Sequence, residues 1–167
     1  MEELFDIVDE NDRVIGQAPR SEVHARKLLH RAVHIFVLDS QGRLLIHRRS
    51  ATKDEYPLCY TSSASGHLSA GESYEECAPR EMQEEIGLSA ELTFLHKFPA
   101  SPETAYEHTV LYKAVTNAVP TFDPGEIESG SYLSLNEIQQ MIQDRPAEFS
   151  PAFCTLFRWY LEQQSRG

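Results

Sequence analysis

The apolar positions of the N-terminal half fall in short runs broken by polar and glycine-bearing turns. Leu4 to Val8 reads as an alternating strand, Glu10-Asn11-Asp12 interrupts it, and Val14-Ile15 resumes, which is the pattern of a β-hairpin. Arg20 to Lys27 has room for a short helix. His34 to Leu38 is β-branched and aromatic, Ser40-Gln41-Gly42 turns the chain, and Leu44-Leu45-Ile46 returns it as a second hairpin. Ser50 to Ser65 reads as a loop that becomes a short strand near Tyr60. The spacing changes at Glu75 to Ile86, where apolar residues recur at helical intervals and Gly87 supplies a stop. Ala90 to Phe98 and Thr109 to Val115 are further strands around a proline-bearing loop. Val119 to Glu128 is a loop, Ser131 to Leu135 a last short strand, and Ser134-Leu135-Asn136 opens a helix through Ile142. Pro151 to Gln164 carries Phe153, Leu156, Phe157, Tyr160 and Leu161 on one stripe and closes as a helix. Strands mixed with a few helices, without βαβ alternation, predict an α+β, sandwich-like fold.

Composition leaves this picture intact and narrows the partners. The 167 residues are 41% hydrophobic and 25% charged, an ordinary balance for one globular domain over 1–167. The 15 Lys+Arg and 26 Asp+Glu give a formal net charge of −11. That argues against a surface that coats nucleic acid or an anionic membrane. A small phosphate ligand stays open, because a metal ion bridges carboxylates to phosphates. Cys59, Cys77 and Cys154 are odd in number and form no CxxC pair, which fits reduced thiols. Met1-Glu2-Glu3-Leu4 lacks the build of a signal peptide, and no run approaches the roughly 20 apolar residues of a membrane span. The expectation is a cytoplasmic monomer or homodimer. The exposed edge of the N-terminal hairpin is the place where two copies would pair.

The chemistry concentrates between Gly66 and Leu88. At about 100° per residue, Ala78, Met82 and Ile86 form one apolar arc and Glu81, Glu84 and Glu85 an adjoining one. Three carboxylates so close repel one another, and a hard divalent cation with oxygen ligands is the natural compensation. Gly71 allows a turn before Glu72, and Arg80 stands beside the clamp with a guanidinium able to grip a carboxylate through two bonds. Pro79 is out of place in a helix that starts near Ser73. It implies a distorted first turn or a regular helix that begins nearer Glu76.

The full spacing is Gly66, five residues, Glu72, seven residues, Arg80-Glu81-Met82, one residue, Glu84-Glu85, one residue, Gly87-Leu88. It resembles the Nudix box at every specified position, a match expected by chance roughly once in 10⁹ start positions. The resemblance implies a Nudix-type α/β/α sandwich with a mixed sheet, an N-terminal hairpin and a C-terminal helix. It also implies hydrolysis of a small-molecule diphosphate, with Mg²⁺ as the cofactor and Mn²⁺ as an alternative. By this resemblance Glu81, Glu84, Glu85 and Gly66 hold metal, one carboxylate serves as base, and Arg80 and Glu72 orient the loop–helix–loop. Glu126 matches a loop acid that assists as ligand or base in some members.

A wider resemblance, through His30-Arg31-Ala32, Arg48-Arg49 with Lys53, Pro57, and Thr61 to His67, points to the subgroup shared with type 1 isopentenyl-diphosphate isomerases. It implies diphosphate contacts for Arg49 and Lys53 and metal-site positions for His30 and His67; the basic island Arg48, Arg49 and Lys53, with Glu126, makes up the candidate substrate-binding set. The isomerases place a catalytic Cys where this chain has Ser65, a far weaker acid. Their later acidic position aligns with His108, next to Glu107, and their box is degraded where this one is intact. The expected substrate is therefore a nucleoside diphosphate linked to another group. Two alternatives stay open: an isopentenyl-diphosphate isomerase-like enzyme, and a non-catalytic nucleotide-binding module of the same fold. Tyr56, Tyr60, Phe98, Tyr106 and Trp159 are candidates for stacking on a base or for core packing.

Overall fold

The computed structural model describes residues 2–166. The hairpin β1 (Leu4–Val8) and β2 (Val14–Pro19) forms a two-stranded antiparallel sheet of its own, followed by the short helix α1 (Arg20–Ala25). The central sheet is built on β3 (His30–Leu38), which runs parallel to β8 (Glu107–Val115) along its whole length, from His30↔Glu107 to Leu38↔Val115. On the far side of β8 lies antiparallel β7 (Thr93–Phe98).

The other edge of β3 is forked. Strand β4 (Leu44–Arg49) touches β3 in register only at Leu38↔Leu44 and then diverges to pair with β9 (Ile127–Leu133). Two short strands fill the wedge: β5 (Tyr60–Thr61) on β4, and β6 (Ala64–His67) on β3. The serines between them tie the fork. Ser63 Oγ accepts from the Val37 N–H at 2.8 Å and donates to the Leu45 carbonyl at 2.5 Å, and Ser62 Oγ bonds His34 Nδ1 at 2.7 Å. These bonds give the buried serines, His34, the Val37 N–H and the Leu45 carbonyl the partners that the diverging strands do not supply.

Alternation along β3 builds a core on each face. Val33, Ile35 and Val37 meet Ala78, Met82 and Ile86 of helix α2 (Tyr74–Ile86). Phe36 and Leu38 meet Phe153, Leu156, Phe157 and Tyr160 of helix α4 (Pro151–Arg166), with Ile138 of α3 (Leu135–Asp144) beside them. The result is the mixed-sheet α/β/α sandwich. Each fully buried large side chain contributes about 1.5–3 kcal/mol.

Helix α2 begins at Tyr74, so Pro79 stands inside it and leaves the Glu75 carbonyl without its intrahelical donor. A capping box compensates at the entrance: Ser73 Oγ accepts from the Glu76 N–H, and Glu76 accepts from the Ser73 N–H, both at 3.1 Å. Gly87 ends the helix in the left-handed region at φ 63°. Three sequence expectations shift. Strand β3 starts at His30 rather than His34, because His30 and Arg31 are carried by pairing with β8. Residues 64–67 form strand β6 rather than loop. Strand β9 starts at Ile127 rather than Ser131, and its Ile-Glu-Ser-Gly-Ser core has little intrinsic strand preference.

Candidate active site

Helix α2 lays its acidic arc against β6. Gly66 is glycine because Glu81 occupies its side-chain space: a Cβ there would overlap Cγ, Cδ and Oε1 of Glu81. One residue back, the Ser65 N–H donates to Glu85 Oε1 at 2.8 Å. Arg80 grips Glu72 through two bonds, Nε to Oε2 at 2.7 Å and Nη2 to Oε1 at 2.8 Å. Its third nitrogen reaches Glu81 Oε1 at 3.0 Å and Glu84 Oε2 at 3.1 Å. The Ser69 N–H donates to Glu72 Oε1, so the loop before α2 is tied to the helix through one guanidinium.

The electrostatics are unbalanced. Burial pushes the Glu81 carboxyl up to about 7, against the pull of Arg80 and with the help of Glu84. Burial pushes Glu85 up to about 8, although the Ser65 N–H favours its charge, and Glu81 and Glu126 add to the rise. Among the described residues, Glu85 has no ion pair. Hard oxygen donors crowded around a shared opening, short of positive charge, suit a divalent cation such as Mg²⁺.

These groups open on a cleft of about 320 Å³ at the fork. Gly66, Arg80, Glu81, Glu84 and Glu85 line it, together with Arg49, Lys53 and Glu126 from the opposite wall. Lys53 Nζ meets Glu126 Oε2 at 2.5 Å. Arg49 Nε donates to the Glu55 carbonyl at 3.0 Å. Two residues singled out with them stand elsewhere. Glu72 lies beneath Arg80 rather than on the cleft wall. Arg48 is turned away by strand alternation and donates from Nε to the Leu58 carbonyl at 3.0 Å. The grouping of Arg48 with the diphosphate-facing side chains is corrected accordingly: it fastens a loop.

A second cluster adjoins the first. His24, His30 and His67 each bring one ring nitrogen within 4.8 Å of the others. His67 Nε2 lies 3.4 Å from Glu107 Oε1, and His24 Nδ1 lies 2.9 Å from Glu55 Oε1. Phe5 stacks on His30 at 5.7 Å. Burial pushes His30 down to about 4, and its Nε2 is buried without a partner. An orphaned imidazole nitrogen beside two more imidazoles and a carboxylate is the donor set of a transition-metal site. The acidic member is Glu107. His108, which the alignment with the isomerases had put at that position, points the other way, accepting from the Ala100 N–H at 3.2 Å and meeting the Asp9 carbonyl at 2.9 Å. Sequence reasoning missed His24 and noted Glu107 only as the neighbour of His108, because only the β3–β8 register and the seat of α1 bring them to His30.

The Gly66 contact makes a prediction. In Gly66→Ala the flexible Glu81 side chain yields before the fold does. The melting temperature is expected to stay within a few degrees, while Mg²⁺ affinity, measured by calorimetric titration, falls at least about tenfold. Unchanged affinity would break the link between Gly66 and the clamp.

Comparison with known proteins places these features. A family model described as the NUDIX domain matches residues 28–153. An isopentenyl-diphosphate Delta-isomerase of Serratia proteamaculans is 35% identical over 163 residues, 95% of this chain and 91% of that protein. A prenyl-diphosphate phosphatase of Methanosarcina mazei is 35% identical over 150 residues, 87% of each chain. The uncharacterized Nudix hydrolase SCO1686 of Streptomyces coelicolor is 48% identical over 99 residues, and the match spans only 55% of that relative's length. The crystal structure of DR0079 from Deinococcus radiodurans superposes with a TM-score of 0.84 at 31% identity, over 93% of this chain and 98% of that one.

Proposed function

This chain belongs to the Nudix family and is a hydrolase of that family, and from that premise we propose that it cleaves the diphosphate bond of a nucleoside diphosphate joined to a second group. The observation that carries the reading is the pair Glu81 and Glu85: two half-buried carboxylates at the mouth of a polar cleft, with Arg80 as their one cationic neighbour on the helix. Glu81, Glu84, Glu85 and the Gly66 carbonyl hold Mg²⁺, or Mn²⁺ in its place. A divalent cation there neutralises diphosphate oxygens and acidifies water. Arg49 and Lys53 face the distal phosphate, Lys53 shared with Glu126. The attacking water gives its proton to one of the clamp carboxylates or to Glu126, each of which lines the same cleft. Arg80 and Glu72 keep the helix and its preceding loop in register.

The activities that two of the relatives are named for define the rivals, double-bond migration and dephosphorylation of an isoprenoid diphosphate. Ser65 stands where the isomerases carry their Cys, and a hydroxyl with a pKa far above that of a thiol does not readily shuttle the proton. A panel of nucleotide sugars, dinucleotides, nucleoside triphosphates and isopentenyl diphosphate, each with Mg²⁺, tests the reading by phosphorus NMR of the phosphomonoester products and by proton NMR. Cleavage of nucleoside diphosphate derivatives, with no double-bond migration, is the expected outcome. Turnover confined to isoprenoid diphosphates would replace the substrate class, and double-bond migration would replace the reaction.

A further inference from the structure

The rim of the cleft opposite α2 presents a side chain that neither the clamp nor the core uses. Tyr56 lines the cleft and keeps 46% of its surface exposed. Its backbone is unusual, with φ 47° at Tyr56 and φ 60° at Leu58. Non-glycine residues adopt such angles uncommonly, and Tyr56 also precedes Pro57, a position steered towards extended backbone. The conformation persists because it is over-determined from both sides. Arg49 Nε holds the Glu55 carbonyl and Arg48 Nε the Leu58 carbonyl, each at 3.0 Å. The Arg49 backbone bonds Cys59 at 2.8 Å and Leu58 at 3.0 Å, and the Cys59 N–H returns to the Tyr56 carbonyl at 3.2 Å. Two guanidinium groups thus pin the chain on either side of one aromatic ring, as a strained ligand-contacting segment is held.

The other aromatic candidates are committed elsewhere. Tyr60 packs on Phe149 at 5.3 Å, Phe98 and Trp159 pack together at 5.7 Å, and Tyr106 lies beneath Lys27. None of these lines the cleft. We propose that Tyr56 is the stacking platform for the planar ring of the substrate, a nucleobase, and so a specificity-determining residue on the wall that also carries Arg49 and Lys53. This inference rests on the nucleoside reading above. A π-face accepts any base, so the platform selects nucleoside substrates as a class rather than one base.

The test compares wild type with Tyr56→Phe, Tyr56→Leu and Tyr56→Ala, using ADP-ribose and UDP-glucose with Mg²⁺. For Tyr56→Ala, KM is expected to rise about tenfold with kcat within twofold, the scale of one lost base–aromatic stack. Tyr56→Phe returns KM to the wild-type range and Tyr56→Leu does not. Rescue by Leu as complete as by Phe would mean that the side chain only shapes the loop, and would overturn the proposal. An unchanged KM in Tyr56→Ala would overturn it while leaving the nucleoside reading in place. If wild type cleaves neither these two nor any other nucleoside diphosphate derivative of the panel above, the nucleoside reading fails and takes the platform with it. Melting curves of the four proteins separate these outcomes from misfolding.

Discussion

Glu85→Gln is expected to lower kcat for diphosphate cleavage by roughly 10²–10⁴-fold at pH 8 while the protein stays folded. The substitution is nearly isosteric, and the amide oxygen can still accept the Ser65 N–H that now bonds Glu85 Oε1 at 2.8 Å. What it removes is charge, at the carboxyl that burial raises most among the acids of the clamp. A buried acid costs stability when ionised, so an acid at this place is explained by chemistry rather than by packing. The steady-state rate at which the phosphomonoester products form gives kcat, and circular dichroism checks the fold. Activity within tenfold of wild type would remove Glu85 from the site. Glu84 is more than half exposed, and its link to Arg80 is an i,i+4 contact on the helix surface. Glu84→Gln is accordingly expected to cost less than Glu85→Gln.

The helix that carries these acids was legible because its chemistry is local. Glu81 and Glu85 are one turn apart whatever the rest of the chain does, and Gly87 marks where the helix ends. The two helix faces, the N-terminal hairpin and the closing helix follow from period alone, whereas the second expected hairpin pairs only at Leu38↔Leu44 before β4 leaves for β9. What resisted reading was non-local. Strand β6 is Ala-Ser-Gly-His, with no apolar alternation to announce it, and it is a strand because β3 supplies its partner. Strand β9 likewise exists through pairing with β4. Arg48 and Arg49 look equivalent as a basic pair, and both fasten the 55–58 loop, yet neighbouring strand positions face opposite ways and only Arg49 lines the cleft. Glu107 and His24 join His30 and His67 only once the register of β3 on β8 and the position of α1 are known.

The same buried acids predict how stability depends on pH. Glu81 and Glu85 titrate near 7 and 8 when folded, against an ordinary 4.5, so between those values the folded chain holds protons that the unfolded chain has lost. Their stabilising contribution is complete below about 4.5 and disappears as pH rises through 7 and 8, a change on the order of several kcal/mol. His30, His34 and His47 act in the opposite sense. Burial pushes each down to about 4, so their contribution is complete above 6.5 and is lost as pH falls towards 4. Three histidines outweigh two carboxyls on the acid side, and above 6.5 the carboxyls act without them. The metal-free protein is therefore expected to melt highest near pH 6–7 and several degrees lower by pH 8.5, measured by calorimetry in a chelator. Mg²⁺ binds the ionised clamp, so it should flatten the alkaline limb, raise the melting temperature more at pH 8.5 than at pH 6, and release protons on binding at pH 7. Glu85→Gln should flatten that limb without metal, so the variant that loses the most activity is also the one that gains stability at pH 8.5. A metal-free melting temperature that climbs steadily from pH 6 to 8.5, or a Mg²⁺ effect independent of pH, would mean that these carboxyls are not buried as acids at the mouth of the cleft.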